Sequence, residues 1–458
     1  MKKITPQFFS IAGLFFFWGF VAASNDVLIP IFKDHLQLEQ WQSQMISFVF
    51  YVAYTIGSIL YLWICQILKA DLLEKMGYTK GLSIGLLISF IGVLFFIPAS
   101  LYSSFLALII GLLIIGLGFS LQQTAANPLV IKSGDESFGS QRLSLAGGIN
   151  NIGTTIGPLL VSYAVFGQSK DIESLNNLMY PYLFLGLLFI VFTIYFQMIK
   201  INFSNDSKIS VVTNLQNIKD VIIQKDVWMA MLAIFTYVGV EVSTAANLAE
   251  FAKQKANVST SEIAPFISLY WACLMIGRWA SAADVFANRK FIKIFFKILF
   301  PLLAFGLFMI ILNLNNKSIP HLEWMFGFIA LLIVADFISE GNANKQLILY
   351  AALGLIMITI GMASNGLTAV LFMVSVGLFC STLWPCIFEI ALKGKKHNSG
   401  LISSLLIMMI MGGGWISILQ AYLSKFVGIN ASYSVGVCCF VYLMIYGIQS
   451  MRKLDNAN

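Results

Sequence analysis

Charged residues are scarce in this sequence of 458 residues. Only 11% of the residues are Asp, Glu, Lys or Arg, whereas soluble domains contain roughly 25%. A water-soluble protein of this size could not cover its surface with so few charges. The composition therefore excludes a soluble enzyme, a nucleic-acid-binding protein and a disordered chain. The net charge of +7 does not indicate an acidic partner, because the placement of Lys and Arg matters more than their total in a chain rich in apolar segments.

Residues that ligate metals or form disulfides are also few. The three histidines lie in predicted loops, and the sequence shows no catalytic dyad, metal cluster or nucleotide-binding motif. The sequence thus predicts no enzyme, no metal site and no cofactor. Free cysteine behaves as a small hydrophobic residue, so no disulfides are expected. All the cysteines lie within apolar stretches: Cys65, Cys273, Cys380, Cys386, Cys438 and Cys439.

Hydrophobic residues, in contrast, make up 59% of the chain. This share is enough for about 13 membrane-spanning helices of ~20 residues each. The first apolar stretch follows MKKITPQFF directly and lacks a small-residue cleavage site, so it is predicted to be a span and not a signal peptide. Fourteen such stretches follow one another along the chain: 8–32, 44–68, 81–101, 104–131, 143–166, 177–198, 227–252, 262–287, 291–312, 323–339, 346–363, 366–392, 400–424 and 431–451.

The positions of lysine and arginine orient these stretches. With both termini inside, 20 of the 28 Lys and Arg residues lie on the inner side and six on the outer side, as the positive-inside rule requires. The stretch at 323–339 is short, but removing it would place Lys393, Lys395 and Lys396 outside. The sequence therefore predicts an all-α polytopic protein of the inner (plasma) membrane, with 14 spans and both termini cytoplasmic.

A polar segment divides the chain into two parts. Six spans lie in residues 1–198, a basic cytoplasmic linker occupies 199–226, and eight spans lie in 227–458. Repeated six-helix units are typical of one large class of secondary transporters. The spans near 291–340 exceed this plan and are interpreted as an inserted helical pair.

Two carboxylates lie within the predicted spans, where an ionisable group costs about 2.5–3.5 kcal/mol on insertion scales. Asp26 is in the outer part of the first span, with Trp18 on the same helical face and Asn25 beside it. Asp26 is interpreted as a carboxylate that faces a water-filled cavity. The alternative is an interface carboxylate that caps a neighbouring helix.

Glu241 lies near the middle of the seventh span and shares a helical face with Tyr237 and Thr244. No Lys or Arg lies near it in the same span. Because burial disfavours the charged form of a carboxyl group, Glu241 is suited to bind and release a proton. The alternative is a permanently protonated residue that is hydrogen-bonded between helices. Arg278 and Asp284, at the inner end of the eighth span, are interpreted as a charge lock between helix ends.

Amide side chains also occur within the spans. Gln123 and Asn127 are one turn apart before Pro128, and Asn150 and Gln420 lie in later spans. Each amide both donates and accepts hydrogen bonds, which suits a ligand rich in hydroxyl groups.

Aromatic residues accompany these amides. Trp18, Tyr237 and Trp384 are predicted to stack on the apolar face of a sugar. Single aromatic residues in spans more often belong to the core or to the interface belt, so that alternative stays open.

The chain resembles the major facilitator superfamily, and within it the fucose–galactose–glucose proton symporter family, in eight segments that occur in order: FFFWGFVAASNDVLIP, EKMGYTKG, SLQQTAANPLV, RLSLAGGINNIGTTIGP, YVGVEVS, YWACLMIGRW, STLWPCIFEIALKG and GGGWISILQAYL. The resemblance covers nearly the whole chain and implies the major facilitator fold of two six-helix bundles. It also implies alternating access around a central cavity lined by the first, fourth, seventh and tenth canonical helices. Those helices carry Asp26, Gln123, Glu241 and Trp384.

Two positions depart from the fucose-type branch of that family. That branch carries a glutamate where Gln123 stands and a glutamine where Gly147 stands, whereas Gln123 and the segment around Glu241 are similar to the glucose/galactose branch. The proton role of the fourth-span acid cannot transfer to Gln123. It must fall on Asp26 or Glu241, unless the coupling ion is Na⁺ or coupling is absent.

The sequence therefore predicts a sugar–cation symporter that moves a hexose such as glucose or galactose inward, with Asp26 and Glu241 handling the proton. L-Fucose and N-acetylglucosamine stay open as substrates, and a non-transporting sugar sensor on the same fold is the alternative from another class. Partners other than the sugar and the lipid bilayer are not predicted, neither nucleic acid nor an obligate protein. The predicted sugar-binding residues are Trp18, Asn25, Gln123, Asn127, Asn150, Tyr237, Trp384 and Gln420.

Overall fold

The computed structural model describes residues 6–68, 72–132, 139–166, 176–198, 223–286, 290–392 and 399–455. Nearly all of these residues are helical, as the prediction of an all-α membrane protein requires. Ten of the described helices are long and apolar enough to cross a membrane, and Phe8–Ala23, Leu183–Met198 and Trp324–Ser339 are shorter apolar helices. The exact number of 14 crossings stays a prediction.

Helices dominate because a backbone in hydrocarbon must satisfy its own hydrogen bonds, which a helix does within one segment. In the first half the third predicted span is divided by a turn at Phe95. The helices of this half are α1 (Pro6–Leu36), α2 (Gln40–Leu68), α3 (Leu72–Met76), α4 (Tyr78–Leu94), α5 (Phe96–Leu101), α6 (Phe105–Lys132), α7 (Gly139–Phe166) and α8 (Asn176–Met198).

Two predicted spans of the second half, 366–392 and 400–424, are broken well inside their bounds. One falls at residues 381–382, and a 3₁₀ turn at Met409–Met411 forms the other. The described helices of this half are α9 (Lys225–Ala256), α10 (Ala264–Phe286), α11 (Lys290–Leu314), α12 (Trp324–Ser339), α13 (Ala343–Ala363), α14 (Gly366–Cys380), α15 (Leu383–Leu392), α16 (Ser399–Met408), α17 (Gly412–Ser432) and α18 (Ser434–Asp455).

Helix packing follows one pattern in both halves. In the first half α1 packs against α7, α2 against α6, and α4 against both α6 and α8. In the second half α9 packs against α17, α10 against α14, and α13 against both α14 and α18. α11 and α12 have no counterpart among the described helices of the first half. They pack against α10, α13 and α14. In the sequence, the hairpin of α11 and α12 is therefore inserted between the second helix (α10) and the third helix (α13) of the repeated unit.

The two halves have separate hydrophobic cores. One core contains Phe119 and other side chains of the first half, and the other contains Tyr270 and Phe379. The halves meet where α7 packs against α10 and α2 against α17. The proposed linker lies outside the described residues except for 223–226, so the domain boundaries at 198 and 227 stay predictions.

Glycine allows the closest approach of α1 to α7. A Cβ atom on Gly19 would overlap the carbonyl oxygen of Asn150, and one on Gly153 would overlap the carbonyl oxygen of Phe16. Small residues let the backbones of two helices touch directly. These two glycines therefore let the backbones of α1 and α7 approach each other closely.

A buried ion pair ties the hairpin to the second half. Nζ of Lys297 in α11 lies 2.5 Å from Oδ2 of Asp336 in α12, and these side chains are 6% and 5% exposed. Oδ1 of Asp336 also accepts hydrogen bonds from Ser281 Oγ at 3.3 Å and from Gln346 Nε2 at 3.2 Å. Because Ser281 belongs to α10 and Gln346 to α13, the network joins four helices.

Ionic contacts join the two halves at the end predicted to face outward. Nζ of Lys33 in α1 lies 2.5 Å from Oε2 of Glu250 in α9. Nζ of Lys253 lies 3.0 Å from Oδ2 of Asp34, which also accepts a hydrogen bond from Thr260 Oγ1 at 2.9 Å. The outer ends of α1 and α9 are thus held together in this structure.

Candidate functional site

The Glu241 side chain occupies the middle of α9 and is half-buried. Its carboxyl group interacts with the Tyr237 hydroxyl one turn earlier and lies within electrostatic range of Arg278. Tyr270 Oη of α10 donates a hydrogen bond to the backbone carbonyl of Glu241 at 2.7 Å. The backbone of α9 at Glu241 is therefore bonded directly to α10.

Two aromatic rings extend this region toward the break between α14 and α15. The ring centroids of Tyr237 and Trp384 are 6.2 Å apart, and those of Trp384 and Phe388 are 4.8 Å apart. Trp384 is half-buried, whereas Tyr237 is almost completely buried. The structure thus brings three of the predicted site residues together: Tyr237, Glu241 and Trp384.

Arg278 is a functional candidate that the sequence interpretation placed elsewhere. Its guanidinium group donates hydrogen bonds to Asn151 Oδ1 and to the backbone carbonyl of Ser381, each at 3.2 Å. The side chain of Asp284, its expected partner in a charge lock, lies outside the described residues. Arg278 approaches Glu241 from a different helix, and no spacing along a single span could reveal that proximity.

The predicted amides of the first half have partners on neighbouring helices. Gln123 is half-buried, and its Nε2 donates a hydrogen bond to Tyr54 Oη at 3.0 Å. Nδ2 of Asn150 donates to the backbone carbonyl of Phe15 at 2.8 Å. Tyr54 was missed by the sequence interpretation, because its place in α2 opposite α6 depends on helix packing.

Trp18 lies in the core of the first half. Its Nε1 donates a hydrogen bond to Oε1 of the buried Gln122 at 2.9 Å, and Gln122 Nε2 donates to Ser89 Oγ at 2.9 Å. The chain of bonds links α1, α6 and α4. The indole N–H of Trp18 is therefore engaged within the protein, and its predicted contact with sugar stays a prediction.

Gln420 is fully buried in α17. Among the described residues its amide nitrogen and oxygen have no hydrogen-bond partner. The hydroxyl of the neighbouring Tyr433 donates a hydrogen bond to the backbone carbonyl of Thr244 at 3.3 Å. Gln420 thus lies in the interior of the second half, where α17 packs against α9.

Three predicted site residues cannot be placed in the same way. Asn25 and Asp26 belong to α1, and Asn127 belongs to α6, but their side chains lie outside the described residues. Their roles in sugar binding and proton coupling stay predictions.

The chemistry offered by this arrangement is that of ion and hydroxyl binding. Glu241 supplies a carboxyl group that can take up a proton, and Gln123 supplies an amide beside a phenol. Within the described part of the chain, three or more His, Cys, Asp or Glu residues do not gather at any point where they could hold a metal ion.

Comparisons with known proteins agree with this fold. The chain is 26% identical to a glucose/galactose transporter of Brucella abortus biovar 1 (strain 9-941), over 96% of this chain and 92% of the relative. It is 24% identical to an L-fucose-proton symporter of Escherichia coli (strain K12), over 95% of this chain and 91% of the relative. The crystal structure of the E. coli fucose:proton symporter matches with a TM-score of 0.64 at 22% identity, over 98% of this chain and 99% of that one.

A family model covers most of the chain as well. The model of the Major Facilitator Superfamily matches residues 7–344, which include the whole first half and the start of α13. The fold, the relatives and this match describe a membrane transporter and not an enzyme, and the chain belongs to the Major Facilitator Superfamily.

Proposed function

We propose that the protein is a proton-coupled symporter that carries a hexose such as glucose or galactose into the cell by alternating access. In this proposal the chain lies in the inner membrane with both termini in the cytoplasm. The sugar enters between the two halves, and one proton-binding carboxyl group makes its uptake depend on the pH gradient.

The position of the Glu241 carboxyl group, in the middle of a predicted span, is the observation that carries this proposal. A carboxyl group in the middle of a span is costly in hydrocarbon and in such proteins marks the path of a substrate or an ion. Its half-buried side chain lies beside Tyr237 and in the electrostatic range of Arg278. The Tyr237 phenol can serve either protonation state, since it donates to a carboxylate and accepts from a carboxylic acid, whereas Arg278 favours the ionised form.

The sugar-binding groups proposed are amides and aromatic rings on both sides of the interface. Gln123 and Asn150 come from α6 and α7, and Trp384 comes from the broken helix of α14 and α15. The set is completed by Trp18, Asn25, Asn127, Tyr237 and Gln420, and Asp26 is the second proton-coupling candidate. The relatives whose names specify glucose and galactose support a hexose as substrate.

Uptake into proteoliposomes tests the proposal directly. Wild-type protein should accumulate radiolabelled glucose or galactose when the external medium is more acidic than the lumen, and imposing a Na⁺ gradient alone should give no accumulation. Glu241→Gln should abolish gradient-driven accumulation but retain counterflow, because a neutral side chain can still bind sugar and change conformation.

Glu323→Gln provides a matched control, since Glu323 is 69% exposed in the loop before α12. Its accumulation should equal that of wild type. Accumulation by Glu241→Gln at the wild-type level would show that Glu241 is not the coupling residue. If a Na⁺ gradient drives uptake, the coupling ion is Na⁺ and the assignment of the proton is wrong.

L-Fucose is a second candidate substrate, because two of the relatives are named L-fucose-proton symporters. A counterflow screen with unlabelled sugars separates the candidates without any assumption about coupling. Exchange that is driven by fucose and not by glucose or galactose would reverse the substrate assignment. N-Acetylglucosamine belongs in the same screen.

A further inference from the structure

Arg278 holds together groups from both halves of the protein. Its Nη1 donates to Asn151 Oδ1 of α7 at 3.2 Å, and its Nε donates to the backbone carbonyl of Ser381 at 3.2 Å. Asn151 belongs to the first half, and Ser381 lies at the break between α14 and α15 in the second. The planar guanidinium fork allows one side chain to serve both acceptors at once.

The Ser381 carbonyl is available because of a proline. In a continuous helix this oxygen would accept a hydrogen bond from the N–H four residues later, but Pro385 has no N–H to give. Gly277 permits the approach, because a Cβ atom there would overlap the Ser381 side chain. The local sequence therefore leaves an acceptor at the helix break and brings α10 against it.

Arg278 is also the charged neighbour of Glu241. The groups that act on the Glu241 carboxyl group come from three helices: Tyr237 on α9, Tyr270 and Arg278 on α10, and Cys380 on α14. The phenols and the thiol are neutral at neutral pH, whereas arginine stays charged. Of these groups, Arg278 is the cation, so its charge attracts the Glu241 carboxyl group when that group is ionised and not when it is protonated.

We propose that Arg278 is the positioning residue that transmits the charge of Glu241 to the contact between the two halves. When Glu241 is protonated, Arg278 bonds to Asn151 and ties α7 to α10. When Glu241 is ionised, its carboxylate attracts the guanidinium group away from Asn151, since a carboxylate carries a negative charge and can accept two parallel hydrogen bonds from arginine, whereas the amide oxygen of asparagine is neutral. Loss of the proton then weakens the bond between the halves.

This inference rests on the proposed function, in which Glu241 binds the coupling proton. It goes further, because it names the residue that converts protonation into a change at the interface. It also predicts that changes at Asn151 alter the pH dependence of transport, although Asn151 does not titrate and has no assigned contact with the proton.

The test uses the full chain in proteoliposomes and measures sugar counterflow from pH 5 to pH 9. Asn151→Asp gives Arg278 a second carboxylate that competes with Glu241, so the midpoint of the pH profile should rise by about one unit. Asn151→Leu removes the competing acceptor, so Arg278 favours the ionised form of Glu241 and the midpoint should fall. The two substitutions at one position therefore act in opposite directions.

Arg278→Gln separates this mechanism from a direct effect of the new charge. In that background both Asn151 substitutions should shift the midpoint by less than a third of their effect in wild type. Arg278→Met also removes the charge, and it serves as the second background with the same expected result if Arg278→Gln does not fold. The melting temperature in detergent and the affinity for sugar confirm that each variant is folded.

The outcomes separate the two levels of the proposal. If Glu241→Gln has the pH profile of wild type, Glu241 is not the titrating group, and the proposed coupling fails together with this inference. If Glu241→Gln loses its pH dependence while the Asn151 variants keep the wild-type midpoint, the proposed coupling stands and the role of Arg278 is wrong. Equal shifts with and without Arg278 would also overturn that role.

Discussion

The Lys297 ammonium group and the Asp336 carboxylate form an ion pair 2.5 Å long between α11 and α12, and both side chains are almost completely buried. Two further donors, Ser281 and Gln346, complete the hydrogen bonding of the carboxylate. The Lys297 Nζ atom also lies 5.5 Å from the centre of the Phe337 ring. Removing one member of such a buried pair destabilises the protein, because the remaining charge would have no partner in the protein interior.

Removing one member of this pair should therefore destabilise the protein more than removing both. Lys297→Met or Asp336→Leu alone is expected to lower the free energy of unfolding by about 3–5 kcal/mol, and the double variant should recover most of that loss. The melting temperature in detergent measures the effect. Lys345→Met is the control, because Lys345 pairs with Glu340 at the surface and should contribute at most about 1 kcal/mol. Additive losses in the double variant would contradict the interpretation.

The ionic contacts at the outer end should hold the two halves closed on that side. Lys33→Glu places a second carboxylate opposite that of Glu250. The repulsion should raise the labelling rate of an engineered outer-facing cysteine by about fivefold. Combining it with Glu250→Lys restores an ion pair in reverse and should return the rate to that of wild type. Failure of the reversed pair to restore the rate would show that Lys33 acts through packing.

Trp18 can be assigned to the core or to the substrate by one substitution. Trp18→Phe keeps an aromatic ring but leaves the buried Oε1 of Gln122 without its donor, which should cost about 1–3 kcal/mol of stability. If Trp18 is a core residue, the KM for sugar should not change. Trp228→Phe is the control, since Trp228 is 44% exposed. This variant should keep the wild-type stability and the wild-type KM for sugar. A raised KM at unchanged melting temperature would make Trp18 a sugar contact.

The close approach of α1 to α7 at Gly153 should tolerate no added methyl group. Gly153→Ala is expected to separate α1 from α7 or to distort them, with a loss of about 1–3 kcal/mol. Gly306→Ala is the control, because a Cβ atom there meets no atom within 4 Å and alanine favours a helix. Unfolding temperatures in detergent should fall for the first variant and stay level or rise for the second. Equal temperatures would show that the α1–α7 contact is looser than described.

Hydropathy and charge placement predicted the positions of the helices well, because long apolar runs in a membrane have one stable local structure. The segment 8–32 became α1, and 227–252 became most of α9. The break within 366–392 was less predictable. Pro385 signals it, but the turn itself falls at residues 381–382.

The candidate site was less predictable, since it depends on which helices pack together. Gln122 and Gln123 are adjacent in sequence, yet one is buried against Trp18 and the other bonds to Tyr54. A single helix gives the angle between such residues but not which of them faces a neighbour. For the same reason Arg278 could not be paired with Glu241, because their helices meet only after the second half has folded.

The outer ionic contacts have a consequence for the medium in which the protein works. Lys33, Asp34, Glu250 and Lys253 keep part of their surface in contact with solvent, so dissolved ions screen their attraction. The screening length falls from about 10 Å at 0.1 M salt to about 3 Å at 1 M. The acceptors of Arg278, by contrast, belong to Asn151 and Ser381, whose side chains are almost completely buried, so these bonds are screened less. In the predicted orientation, high external salt therefore weakens these contacts and favours the opening of this end of the protein.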